Sequence, residues 1–315
     1  MTEIYVRPDV QAYLDRRNAQ PTPLTTVEFL AKLKAMGSDY MTALDAPLGE
    51  LAVVRDMTVP SPAGGIPVRL FDPRSEREAG PAIIFYHGGG FCKGSIDTHA
   101  SMAAELARQL DLPVFSVEYR LAPDDPWPAA PDDAEAAARW IASHGREIGY
   151  DISGLILCGD SAGGNLAPVV TLSLREDPAA VPVVLQILFY PVTQFGIQTE
   201  SKRLHSDGYG LDSANMAIYD VHYQPDMAHW RASPLLADQK GLPPTVVITA
   251  SLDPLRDEGR AYAAKCAEAG VPTYFWEAAG QLHGFATFRR IIPSAIGDFE
   301  AAIEIIRTAL KVANA

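Results

Sequence analysis

Gly159-Asp160-Ser161-Ala162-Gly163 sets a serine between two glycines where the chain changes character. Leu155-Ile156-Leu157-Cys158 before it reads as a short buried strand, and Gly164-Asn165-Leu166-Ala167 after it opens a helix. A serine on so sharp a strand-to-helix turn needs small neighbours, because its backbone is strained and its hydroxyl must stand clear of the chain. The helix N-terminus adds partial positive charge and free N–H groups beside it. That setting suits a nucleophile whose reaction builds an oxyanion, and so a hydrolase with a covalent acyl-enzyme. Alone, the pentapeptide equally describes a glycine-rich loop with a solvated serine, so its partners must decide.

A serine hydroxyl needs a base, and the base needs a third group to orient it. Of the seven histidines, His283 alone follows the last expected strand, in Gln281-Leu282-His283-Gly284-Phe285. The acid should follow the preceding strand, where Ser251-Leu252-Asp253-Pro254-Leu255-Arg256-Asp257 stands. Asp253 is nearest the strand end. Asp257 is the alternative, although it reads better as a helix-start residue favoured by the dipole. The chain order Ser161, Asp253, His283 is that of the α/β-hydrolase fold. His87-Gly88-Gly89-Gly90-Phe91 supplies a fourth element. Its glycines can turn backbone N–H groups into a concavity for an oxyanion, and Ala162 offers another N–H. No GK[ST] and no helix-opening G-x-G-x-x-G accompanies these glycines, which disfavours nucleotide binding.

These residues need strands to hold them. Leu51–Val59 and Ile66–Phe71 flank Ala63-Gly64-Gly65 and read as a hairpin. Ala82–Tyr86 and Val114–Val117 are apolar runs without alternation, as in strands buried on both faces. Further strands are expected at 155–158, 183–189, 245–250 and 273–277. Helices are expected at 98–110, at Ala134–Ser143 behind Asp132 or Asp133, and near 162–175, 257–269 and 294–313. The alternation implies a largely parallel sheet with right-handed crossovers. Thr25–Glu28 resembles a capping box ahead of Phe29, Leu30, Leu33 and Met36, so residues 1–48 form an amphipathic arm. The core is then 49–191 and 236–315, and 192–235, rich in polar and aromatic residues, is a natural lid.

Composition narrows the class. With 315 residues, 48% of them hydrophobic, the chain can bury a large core. A formal charge of −13 disfavours nucleic acid and anionic membranes as partners. Cys92, Cys158 and Cys266 show no disulfide framework and no metal spacing. No basic-then-apolar leader pattern is seen at Met1–Tyr5, so the expectation is a reduced, cytoplasmic protein.

The four motifs, with Tyr119-Arg120-Leu121-Ala122-Pro123 and Pro126-Trp127-Pro128-Ala129-Ala130, resemble the hormone-sensitive lipase family, the bacterial family IV esterases, over roughly residues 60–290. The resemblance implies an eight-stranded sheet with an antiparallel second strand, a helical cap, and carboxylesterase activity on short acyl chains without a cofactor. It implies Ser161 as nucleophile, Asp253 and His283 as its partners, and an oxyanion hole of Gly89, Gly90 and Ala162, with Gly88 as alternative to Gly90. The histidine matching His87 shapes the oxyanion loop in that family, and members often dimerise through the edge strand, here 273–277. Deacetylases, amidases and lactonases use the same machinery. Plant gibberellin receptors, which resemble the family without catalysing, lack the histidine that His283 supplies.

Phe91, Tyr190, Phe195, Tyr209 and Phe285 are the candidate pocket residues, Phe285 foremost because it is two residues from His283. The expected substrate is a small ester with a short or medium acyl group. Pro168, inside the helix after Ser161, predicts a kink. Cys92 reads as an apolar filler, with blockage of the site by its modification as the alternative.

Overall fold

The computed structural model describes residues 4–19 and 42–313. The expected capping box at Thr25–Glu28 and its apolar stripe fall outside them. Helix α1 (Pro8–Asn18) begins with proline in its first turn, where no backbone N–H is needed. Strands β1 (Val53–Ser61) and β2 (Gly64–Asp72) pair antiparallel, from Val53 opposite Asp72 to Ser61 opposite Gly64. Six parallel strands follow: β3 (Gly80–Tyr86), β4 (Val114–Val117), β5 (Ile152–Asp160), β6 (Val183–Phe189), β7 (Thr245–Leu252) and β8 (Thr273–Leu282). The sheet order is β1-β2-β4-β3-β5-β6-β7-β8, with β2 antiparallel to both neighbours.

The order reverses at β3, which has β4 on one side and β5 on the other. Ligands of open α/β sheets bind at such a switch point, outside the carboxyl ends of the strands. Here β3 ends at Tyr86, whose register partner Gly159 is next to the end of β5 at Asp160. The His87 loop and the Ser161 turn therefore leave the sheet side by side.

Alternate residues of each strand feed two cores. One holds Ile84, Phe115, Leu157, Leu188 and Val247 against α3 (Ala129–His144), α4 (Ala162–Glu176) and α7 (Arg256–Glu268). The other holds Ile83, Phe85, Ile156, Ile187 and Ile248 against α1, α2 (Ala100–Leu110) and α8 (Ser294–Ala313). Burial on both faces explains why β3 reads as an unbroken apolar run; Ala82 to Tyr86 are all inaccessible.

Several boundaries depart from expectation. Helix α3 starts at Ala129, ahead of Asp132 and Asp133. Asp133 caps nothing; its carboxylate accepts from the Arg120 N–H at 3.0 Å and from Arg120 Nε at 2.9 Å. Strand β8 runs on to Leu282, past the expected end at 277 and through Gly280. Gly280 takes φ +74°, and its N–H donates to Ser251 Oγ at 2.7 Å across a register shift. Helix α4 runs without interruption through Pro168. Residues 192–235 contain two short helices, α5 (Glu200–Leu204) and α6 (Ser213–Tyr223). Among the described residues no helix is long and apolar enough to cross a membrane.

Candidate active site

Ser161 is the pivot between β5 and α4. Its backbone lies at φ 53°, ψ −113°, a strained region for a residue with a Cβ. Its N–H donates to the Phe189 carbonyl at 2.9 Å, and its carbonyl accepts from Asn165 at 3.1 Å. The flanking glycines are required by contact. A Cβ on Gly163 would stand 1.8 Å from the Tyr86 carbonyl oxygen, and one on Gly159 would stand 2.3 Å from the Gly163 backbone. So the strand and helix close on each other only where side chains are missing, and the serine hydroxyl is held outward.

His283 follows the last residue of β8, and Asp253 the last residue of β7. His283 Nε2 is 2.8 Å from Ser161 Oγ, and His283 Nδ1 is 2.8 Å from Asp253 Oδ2. Asp253 is fully buried, and its other oxygen accepts from the Leu255 N–H at 2.8 Å. An acceptor-only carboxylate at Nδ1 requires the proton there, which leaves Nε2 as the lone-pair nitrogen facing the serine hydroxyl. The alternative acid, Asp257, is engaged elsewhere. It accepts from the Ser201 N–H at 2.7 Å, at the start of α5, and from Arg256 Nε at 2.8 Å.

The glycine loop curls beside this trio. Gly89 and Gly90 take φ +130° and +62°, and a Cβ on Gly90 would meet the Tyr219 ring at 2.6 Å. Among the described residues, no hydrogen bond occupies the N–H groups of Gly89, Gly90 or Ala162. The Gly88 N–H is different, donating to Asp160 Oδ1 at 2.7 Å. This corrects the expectation of Gly88 as an alternative to Gly90 in the oxyanion hole. Asp160, a residue the sequence reading left without a role, thus ties the glycine loop to the nucleophile turn. His99 Nε2 lies 3.4 Å from the same carboxylate oxygen.

His87 lies behind the loop, with Nδ1 2.9 Å from the Gly88 carbonyl and its ring stacked on Tyr119 at 4.3 Å. Burial, and then the neighbouring His99, push its pKa down to about 3. Cys92 is half-buried and is not among the residues lining the cavity described next. Burial pushes its thiol up to about 12, which suits an apolar filler better than a reactive group.

A cavity of about 230 Å³ opens above Ser161, lined by Gly90, Phe91, Phe195, Tyr219, Tyr223 and Leu255 among others. Of the expected pocket residues, Phe91 and Phe195 line it. Phe91 stacks on Tyr223 with ring centres 3.9 Å apart. Tyr190, Tyr209 and Phe285 do not line it. Tyr190 takes φ 36°, which turns its ring edge-on beneath His283 at 4.9 Å. Phe285 begins a 3-10 turn, is fully buried, and packs on Tyr190. Tyr209 packs edge-on against His205 at 4.8 Å.

Two further residues secure the roof. Asn165 Nδ2 donates to the carbonyls of Val192 at 2.9 Å and Ala232 at 2.8 Å, holding both ends of 192–235 to the helix behind the serine. Buried Glu258 accepts from the Thr193 N–H at 2.8 Å and pairs with Lys202 at 2.7 Å. Neither was expected. Asn165 stood in the quoted motif; Glu258 carries no sequence signal beyond an acidic helix start.

Comparison with known proteins gives a concordant result. A family model described as alpha/beta hydrolase fold matches residues 83–287. Esterase LipI of Mycobacterium tuberculosis is 38% identical over 272 residues, covering 83% of this chain and 83% of that protein. The ethyl acetate hydrolase of Pseudomonas putida is 30% identical over 314 residues, covering 96% and 98%. Among solved structures, an ester hydrolase from the metagenome of Lake Arreo, bound to a bipyridine phosphonate derivative, superposes with TM-score 0.90 at 36% identity, covering 98% and 100%.

Proposed function

Because this chain belongs to the alpha/beta hydrolase fold family and is a carboxylic ester hydrolase, we propose that Ser161 is its nucleophile, His283 its general base and Asp253 the group that orients the base. The family grouping agrees with the resemblance to hormone-sensitive lipase drawn from the motifs. One observation carries the assignment of roles. The Ser161–His283 and His283–Asp253 contacts, both 2.8 Å, lie at the floor of the cavity.

The cycle follows from those contacts. His283 Nε2 takes the Ser161 proton as Oγ attacks the ester carbonyl carbon. The carbonyl oxygen gains the negative charge and is received by the N–H groups of Gly89, Gly90 and Ala162. His283 then protonates the departing alcohol oxygen, leaving an acyl-serine. The same nitrogen deprotonates a water that attacks the acyl-serine, and Ser161 leaves with the proton restored. Asp253 stays ionised and keeps the proton on Nδ1. Residues 192–235 act as a lid over the core of 49–191 and 236–315, and 1–48 is the second part of the cap. The aromatic walls and modest volume of the cavity favour short to medium acyl groups.

The test is covalent labelling. A p-nitrophenyl organophosphate is expected to leave one adduct per chain, on Ser161 by peptide mapping, with matching loss of p-nitrophenyl butyrate hydrolysis. Labelling elsewhere while hydrolysis continues overturns the assignment. A chain-length profile peaking at long acyl groups contradicts the substrate range. Faster release of the matched acetamide than of the acetate ester favours the amidase alternative.

A further inference from the structure

The cavity holds one charge that the proposed hydrolysis does not use. Asp220, on α6, lines it, half-buried among aromatic and aliphatic walls. Its carboxylate makes no hydrogen bond and no ion pair with the described residues. Every other carboxylate near the site has a partner: Asp253 has His283, Asp160 has Gly88, and Glu258 has Lys202.

Lys202, the cation on the cavity wall, does not fill the role. Its ammonium is 2.7 Å from Glu258 and 3.2 Å from the Ile197 carbonyl. Lys202 is paired with Glu258; its charge is also felt at Asp220, against the burial that raises the Asp220 pKa, but it makes no contact with that carboxylate, which keeps no ion-pair partner on the cavity wall. Lys93 stands over the Tyr219 ring at 6.0 Å and is not among the lining residues. A half-buried carboxylate without a partner costs free energy, and burial raises its pKa. A bound group that supplies a positive charge relieves that cost. The neighbouring walls suit the same guest. Phe195 and Tyr219 line this space beside the stacked Phe91–Tyr223 pair, and aromatic rings attract cations. The chain's net charge of −13 draws cations toward it from solution.

We propose that Asp220 is a specificity-determining residue that directs this site toward esters carrying an ammonium group on the part that enters the cavity. The inference rests on the reading of Ser161 as nucleophile of an ester hydrolase. It concerns recognition, and Asp220 takes no part in bond making.

The test uses two acetate esters of nearly equal shape, acetylcholine and its uncharged isostere 3,3-dimethylbutyl acetate. Wild-type kcat/KM is expected to favour the charged ester, by about 10-fold, the scale of one charge-assisted contact. In Asp220→Asn the ratio of the two kcat/KM values is expected to fall toward one. Asp220→Ala, checked with the first variant for an unchanged melting transition, is expected to lower the ratio likewise. Tetramethylammonium should inhibit wild-type hydrolysis of p-nitrophenyl acetate competitively, and the Asp220→Asn enzyme more weakly. A wild-type enzyme that prefers the neutral ester, or a ratio unmoved by both variants, overturns the proposal. If wild type hydrolyses neither these esters nor p-nitrophenyl acetate, the ester-hydrolase reading itself has failed, a distinct outcome.

Discussion

Beneath the cavity, Ser161, Asp253 and His283 each follow the last residue of a parallel strand; above it, Phe195 and Tyr219 belong to a segment tied down by Asn165 at both ends and by side-chain contacts such as Ser201–Asp257 and Lys202–Glu258 between them. The contrast in burial is large. Helix α4, behind Ser161, buries 13 of its 15 residues, whereas α6 in the roof buries Tyr223 alone of 11. The two regions answer to different demands. Proton transfer through two 2.8 Å contacts fails when donor and acceptor drift, so the floor is built on rigid elements. Recognition tolerates looser placement, because an apolar wall acts through area. On the proposed roles, rate belongs to the floor and selectivity to the roof.

Substitutions can break that division. The largest effect is expected from Ser161→Ala, a loss of about 10⁴–10⁶ in kcat for a short p-nitrophenyl ester with the melting temperature kept. Retention of more than a small fraction of wild-type turnover would remove Ser161 from its role. Asp253→Asn preserves shape but presents an amide to His283 Nδ1, favouring the wrong tautomer. About 10⁴ in kcat should be lost, with KM little changed.

Asp160→Ala tests whether the glycine loop belongs to the floor. Freed from its 2.7 Å tie at Gly88, the loop should misplace its donors and lower kcat by about 10²-fold. A change in KM alone would move Asp160 to the roof side of the comparison. Phe195→Ala enlarges the cavity without touching the serine, so the acyl-chain optimum should lengthen while the preferred short ester loses about tenfold in kcat/KM. An unchanged chain-length profile would show that the roof does not select.

The smallest effect concerns stability rather than rate. His87 has its pKa lowered from 6.5 to about 3 by burial. Between those values the unfolded chain binds a proton that the folded chain refuses. Folding stability therefore rises with pH across that window and falls as pH drops from 6.5 toward 3. His87→Gln should flatten the pH dependence of the melting temperature there. A slope identical to wild type would mean that His87 does not titrate as its burial implies.

Much of the floor was legible from residue order. Small residues around Ser161 announced a tight turn, and the strands before Asp253 and His283 announced where their side chains emerge. The pocket was less legible. Phe285 stands two residues from His283, and Tyr190 just past the end of β6, yet a positive φ at Tyr190 and a 3-10 turn at Phe285 send both rings behind the histidine. The role of Gly88 was equally hidden, because three consecutive glycines look alike until the Asp160 carboxylate is placed beside one of them. Asn165 and Glu258 act on backbone groups of a distant segment, and backbone partners leave no signature in residue types.

The sequence by itself determined where the strands lie along the chain and that they are buried, hence a largely parallel sheet and the identity of the groups at its carboxyl edge, whereas the spatial order of the strands and the switch point belong to the tertiary structure. Hydrophobic runs and glycine positions are local properties, and parallel crossovers leave few arrangements for them. Only the tertiary structure decided which N–H groups remain open, which aromatic rings face the cavity, and that Asp220 stands there without a partner. Those outcomes depend on side-chain direction and on pairs of atoms brought together from remote parts of the chain, which no local pattern encodes.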